Sequence, residues 1–205
     1  MLSLLFKELA AVFDGRRDIE KHASDALLAA ADQAATVEVA KTGANKTATS
    51  TALAQPYLDV MAASDAHSVC RLIEQIPFEW IPPQTSSDPL YVKHSLAKAH
   101  VELLGPGGLV QSDKVRLGLY GMLPESEYGI RTHPAEEIYV MLAGRVDWKR
   151  DNNPYIAHGP GERSYHPSMM EHANRTNQLA FMSVYVWYGE LSTDNYAYAG
   201  VPGSG

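Results

Sequence analysis

Up to about Trp80, apolar positions recur at helical intervals. Leu2, Leu5, Phe6, Leu9 and Phe13 fall on one helical face, as do Ala23, Ala26, Leu27, Ala30 and Ala34. Asp14-Gly15 ends the first segment and Thr42-Gly43-Ala44-Asn45 breaks the second. The spacing then predicts a third helix from Tyr57 to Ile76, with Val60, Met61, Ala63 and Leu72 among its apolar positions. Pro82-Pro83 and the run Thr85-Ser86-Ser87-Asp88-Pro89 mark a joint, after which the texture changes. Short runs between Gly, Pro and Asn turns predict strands at Ala99–Leu104, Val115–Met122, Glu137–Leu142, Arg145–Lys149, Glu162–His166 and Leu179–Tyr188. Strands at such near-regular spacing indicate a barrel or sandwich. The expected organisation is a helical extension over 1–80, packed outside a β-domain over 81–205.

Composition narrows what that domain does. The chain has 205 residues, 45% apolar and 20% charged, which is ordinary for a globular protein. A formal net charge of −7 argues against nucleic acid, because phosphate binding needs clustered Lys and Arg. The one cysteine, Cys70, excludes an intramolecular disulfide and a Cys-based zinc cluster, leaving His and carboxylate as metal ligands. The apolar run at the N-terminus is interrupted by Lys7 and Glu8, too early for a signal peptide. No stretch approaches the ~18 apolar residues of a membrane span, so the expectation is a soluble, cytoplasmic protein. The Ala-rich helices are expected to wrap a larger core or to form the surface of a homodimer. Gly200 to Gly205 reads as a flexible end.

The chemistry concentrates in two stretches. In the first, His133-Pro134-Ala135-Glu136-Glu137-Ile138-Tyr139-Val140-Met141-Leu142, side chains of equal parity share a face of an extended strand. With strand pairing throughout, His133, Glu137, Tyr139 and Met141 face one way and Ile138, Val140 and Leu142 the other. Such a strand is buried on both sides, with hydrocarbon toward a second layer and ligands toward a cavity. In the second stretch, His172 lies 39 positions after His133, far enough to come from another strand. Two imidazoles and a carboxylate form a typical site for a single divalent transition metal ion such as Zn, Fe or Mn, with open positions for substrate.

The segment His133-x3-Glu137-x6-Gly144 resembles the second half of the first cupin motif, and Gly161-x5-Pro167-x-Met169-x2-His172 resembles the second motif. Arg131 stands where the first motif has its leading histidine, and Met169 and Thr176 replace a Gly and an Asn of the second. With the His–Glu–Tyr run and the Ala-rich N-terminal helices, the chain is similar to the DddQ-type dimethylsulfoniopropionate (DMSP) lyases. The resemblance implies a mainly β fold, a single cupin barrel with helices outside. It implies His133, Glu137 and His172 as metal ligands, Tyr139 as catalytic base and Tyr128 as a further pocket tyrosine.

The implied reaction is a β-elimination of a zwitterionic sulfonium, giving acrylate and dimethyl sulfide. A metal on the carboxylate would stabilise developing charge. A neighbouring dication would also favour phenolate in a tyrosine that otherwise titrates near ~10. Trp187, Tyr185 and Tyr128 are candidates to hold the sulfonium by cation–π contact, at ~0.5–2 kcal/mol each. His22, His67, His94, His100 and His158 have no motif context and read as structural. His166 reads the same way, although it shares the parity of His172. Arg131 either pairs with a substrate carboxylate or faces solvent. A cupin dioxygenase or isomerase would use the same ligands but keep the leading histidine. A non-catalytic sensor cupin would bring a DNA-binding element and a basic patch.

Overall fold

A computed structural model describes residues 1–39 and 52–201. The expected breaker at Thr42–Asn45 and the last four residues, 202–205, lie outside the described residues. Among the described residues five helices come at the N-terminal side: α1 (Leu2–Val12), α2 (Asp18–Ala34), α3 (Gln55–Met61), α4 (Cys70–Gln75) and α5 (Pro89–Ser95). The strands are β1 (Lys98–Gly105), β2 (Val110–Gln111), β3 (Val115–Met122), β4 (Glu127–Thr132), β5 (Glu136–Gly144) and β6 (Val146–Arg150). They continue with β7 (Ile156–His158), β8 (Arg163–His166), β9 (His172–Arg175), β10 (Phe181–Tyr188) and β11 (Ala197–Gly200).

Six strands form one sheet in the order β2-β1-β3-β10-β5-β8, and five form the other in the order β11-β4-β9-β6-β7. From β3 to β10 the chain changes sheet at every step except the β6–β7 pair, so that β3-β10-β5-β8 faces β4-β9-β6-β7. That is the jelly-roll arrangement of a cupin barrel, as expected. All pairings among those eight strands are antiparallel.

The sequence predicts one helix over 57–76, but two form, because the chain turns at Ala62–Val69. There the His67 N–H donates to the Leu142 carbonyl at 2.8 Å, drawing the backbone onto β5 and away from helical pairing. The joint at 85–89 is also more structured than a linker. Asp88 Oδ1 accepts from the Leu90 and Tyr91 N–H groups, both at 2.9 Å, and with Pro89 in the first turn it starts α5.

Helices α1 to α4 lie on the outer face of the six-stranded sheet, whereas α5 packs against β4 and β11 of the other sheet. Leu5, Phe6 and Leu9 of α1, Ala23 and Leu27 of α2, and Val60 of α3 meet Leu117, Ile138, Val140, Leu142 and Val184 in one aliphatic core. Arg163 on β8 clamps the helices to the barrel: its Nε donates to the buried Glu20 at 2.6 Å and its Nη2 to the Val12 carbonyl at 3.1 Å. A second core of different character fills the space between the sheets, formed by Tyr120, Tyr128, Tyr139, Trp148, Tyr185 and Trp187. Among the described residues no helix is long and apolar enough to cross a membrane.

Candidate active site

Ladder register builds the site. On β5, Glu137 has Trp187 of β10 as its cross-strand partner on one side and His166 of β8 on the other. Directly opposed residues on one face are within reach of each other. Trp187 Nε1 donates to Glu137 Oε1 at 2.6 Å and His166 Nδ1 donates to Oε2 at 3.0 Å. Two residues along, Tyr139 pairs with Tyr185 and Ser164. Gly118 of β3, opposite Tyr185, has no side chain because a Cβ there would lie 2.9 Å from the Tyr185 ring and closer still to the Val101 carbonyl.

His133 is not on this strand. It sits in the connection between β4 and β5, where the chain passes from one sheet to the other, so parity along β5 does not orient it. It reaches the same place because its Nδ1–H donates to the Ala135 carbonyl at 3.1 Å. His172 opens β9, and its Nδ1–H donates to the Met170 carbonyl at 2.9 Å. The two segments are joined where the Met169 N–H donates to the His133 carbonyl at 2.9 Å. Met169, which stands at a motif glycine, holds φ at +63°, the left-handed conformation that glycine adopts without strain. Thr176 anchors the loop before β4, donating to the Leu123 carbonyl at 2.5 Å and accepting from the Ser126 N–H at 3.1 Å.

These anchors fix the tautomers. A carbonyl can only accept, so Nδ1 carries the proton in both rings and each Nε2 presents a lone pair. Both Nε2 atoms are buried and have no hydrogen-bond partner. They point at Glu137 Oε2, His172 from 3.1 Å and His133 from 3.5 Å. Three acceptors thus converge with nothing to separate them, an arrangement that a cation relieves. The ligand atoms of the three residues all lie within 4.8 Å of one another. Donors about 2.1 Å from a tetrahedral centre lie about 3.4 Å apart, so the set fits a first-row divalent ion.

Burial pushes the Glu137 carboxyl up, yet it is held well below the usual carboxylate range; with both Nε2 atoms bare, the imidazole that donates to it is His166, and a bound cation would act in the same sense. Burial, with His166 and Arg131 nearby, holds His172 neutral, far below the ordinary imidazole value. Burial takes His166 down to about 4 despite Glu137. His166 is therefore a neutral donor that orients the Glu137 carboxylate, its Nε2 paired with Ser164 Oγ at 2.8 Å and its ring stacked 4.2 Å from that of His172. Motif spacing gave no hint of this contact; the cross-strand register supplies it.

A cavity of about 480 Å³ opens beside the cluster, within the range of small-molecule sites. Glu137, Tyr139, Tyr128, Tyr185 and Trp187 all line it. Burial, followed by the Glu137 charge, holds the Tyr139 phenol well above its ordinary value, while Arg131 acts in the opposite sense. The Tyr128 ring is occupied by two basic side chains, with Lys98 Nζ 3.3 Å and the Arg131 guanidinium carbon 3.9 Å from its centroid. The Tyr128 hydroxyl meets that of Tyr196 at 2.6 Å. Arg131 is 2% exposed, so it does not face solvent. His22, His67, His94 and His158 lie away from the cavity, whereas His100 lines it and contacts the Tyr185 hydroxyl at 2.8 Å. Tyr120 and Tyr196 are further wall residues that no sequence pattern singled out.

Comparison with known proteins gives one consistent direction. A family model described as dimethylsulfoniopropionate lyase matches residues 19–182, a span that includes His133, Glu137, Tyr139 and His172. Over 91 residues the chain is 38% identical to dimethylsulfoniopropionate lyase DddQ of Ruegeria pomeroyi, covering 44% of this chain. That match spans 45% of the relative's length, somewhat less than half. The crystal structure of DMSP lyase DddQ from Ruegeria pomeroyi DSS-3 matches with a TM-score of 0.60 at 22% identity, over 88% of this chain and 95% of that one. A further match, from crystal structures of the DMSP lyases RdDddP and RnDddQII, has a TM-score of 0.58 at 21% identity, over 72% and 80% of the two chains. At these identities the structural likeness speaks for the fold.

Proposed function

The chain belongs to the dimethylsulfoniopropionate lyase family, and from that membership and the geometry of the cavity we propose that it cleaves DMSP by β-elimination to acrylate and dimethyl sulfide. The observation that carries the metal-dependent form of this reading is the convergence of two unpartnered imidazole lone pairs on one buried carboxylate. His133, Glu137 and His172 would hold one divalent ion. Bound there, the ion supplies Lewis-acid charge for the substrate carboxylate and offsets the negative charge of Glu137.

The remaining work falls to the chain's own residues. Acting as phenolate, a form that a bound dication would favour against burial and the Glu137 charge, Tyr139 takes the proton from the carbon α to the carboxylate as electrons move to form the C=C bond and the C–S bond breaks, releasing neutral dimethyl sulfide. Its position two residues beyond Glu137, lining the cavity, supports that role. Trp187 and His166 keep the Glu137 carboxylate fixed through both oxygens. The aromatic surfaces of Tyr185 and Trp187 offer the sulfonium a cation–π face in a site withdrawn from water. Tyr128, with its ring already held between Lys98 and Arg131, contributes through its hydroxyl. The test is direct: metal-loaded protein incubated with DMSP should release dimethyl sulfide and acrylate in equal amounts. A fully metal-loaded protein that releases neither would overturn the reading.

A further inference from the structure

The inner wall around β4 has a surplus of donors, and Glu137, whose charge acts on Arg131 across the cavity, is itself engaged by Trp187 and His166 and makes no direct ion pair with it. Arg131 stands on β4 directly opposite His172 and lines the same cavity as Glu137 and Tyr139. Its Nη2 donates to Asn174 Oδ1 at 3.0 Å, and its Nη1 makes two long contacts of 3.4 Å to the Tyr128 and Gly129 carbonyls. A guanidinium has five N–H groups. That leaves the Nε–H and one Nη2–H without an acceptor among the described residues, and no carboxylate lies within ion-pair distance of this 2%-exposed side chain. Asn174 Nδ2 and Trp148 Nε1 are likewise buried donors with no partner. Lys98, 4% exposed, adds an amine on the same Tyr128 ring, and burial together with Arg131 pushes it down to about 6.

A permanently charged group buried without a directly paired counter-ion is costly, and water satisfies its hydrogens but not its charge. The Nε and Nη2 edge of a guanidinium is one that grips a carboxylate through two parallel bonds. We propose that Arg131 is the carboxylate-binding residue of the cavity, receiving the acid end of a small monocarboxylate through this free edge, with Asn174 fixing the plane of the guanidinium. In a cupin motif that position otherwise supplies a histidine ligand; here a fixed cation takes its place and changes the wall from metal-binding to anion-binding. The inference rests on the lyase reading only for the identity of the acid.

The experiment uses 4-methylpentanoate, the unreactive carbon isostere of DMSP, and its neutral amide, titrated calorimetrically into the full-length, metal-loaded protein. The acid should bind at least ~10-fold more tightly than the amide, the scale of a charge-assisted hydrogen bond. Arg131→Gln should weaken the acid by at least ~10-fold and leave the amide unchanged, both before and after chelation of the metal. Arg131→Lys, keeping charge without the fork, should fall between. The acid–amide comparison in the unaltered protein after chelation of the metal needs no substitution, so neither the ion nor a poorly folding variant shields the proposal. Equal binding of acid and amide, or acid affinity unchanged in folded Arg131→Gln, overturns it. Acid held through Arg131 by a protein that leaves DMSP intact supports this assignment while overturning the lyase reading.

Discussion

The two faces of β5 are a controlled comparison within one strand. Ile138, Val140 and Leu142 point outward into an aliphatic core closed by α1, α2 and α3. Glu137, Tyr139 and Met141 point inward, to a wall of aromatic rings and histidines. Both faces are buried, yet only the inner one carries groups that cost free energy to bury and must be matched to one another. The outer face makes the protein fold. The inner face is where stability is given up for chemistry: buried acceptors converge on Glu137, and buried Arg131 and Lys98 crowd a single ring.

The largest expected effect comes from breaking the inner face at its centre. Replacing His172 by Ala should bring metal content by elemental analysis from about one ion per chain toward zero, with activity falling beyond the ~10²–10⁴-fold range of a single lost acid or base. Full metal occupancy in that variant would separate the histidine from any metal role. On the outer face, Leu142→Ala removes a fully buried side chain and should cost about 2–5 kcal/mol in denaturant unfolding. If the faces are separate in function, kcat of the folded variant stays within a few-fold of wild type; a larger change would couple them.

Lys98 sharpens the comparison through pH. Its folded-state pKa lies at about 6, far below the ordinary lysine value near ~10.4, so between these values the unfolded chain binds a proton that the folded chain does not. Its burial therefore costs most near and below pH 6, and the cost fades as pH rises toward ~10. Lys98→Met should accordingly stabilise the protein more at pH 6.5 than at pH 9, by a difference on the order of 3 kcal/mol. A gain that does not vary with pH would mean that Lys98 is charged in the folded protein throughout.

The same contrast explains what could be read from the chain alone. Five strands of the six-stranded sheet were legible, because hydrocarbon on its helix-covered face imposes a pattern: β3 spans the expected residues, β1, β5, β8 and β10 differ by one or two at their ends, and the two-residue β2 was not foreseen. In the other sheet β4, β7, β9 and β11 went unnoticed. Segments such as Glu127–Thr132 and His172–Arg175 hold few apolar residues, since their inward positions carry Tyr128, Arg131 and Asn174. The convergence of His133, Glu137 and His172 was legible from spacing. What was not legible were contacts made by register across strands: His166 on Glu137, Trp187 on the other carboxylate oxygen, His100 on Tyr185. Tyr196 arrives from the segment before β11, with no local pattern to announce it.

The central claim, that the inner face of β5 performs proton transfer and does not merely shape a pocket, is tested most directly at Tyr139. Tyr139→Phe keeps the ring and its packing against Trp148, 4.6 Å between centroids, and deletes the one oxygen that takes the proton. Steady-state kinetics of the metal-replete variant with DMSP should show kcat lowered by ~10²–10⁴-fold, with metal content unchanged and KM within a few-fold. A kcat within a few-fold of wild type, with the metal in place, would contradict the account.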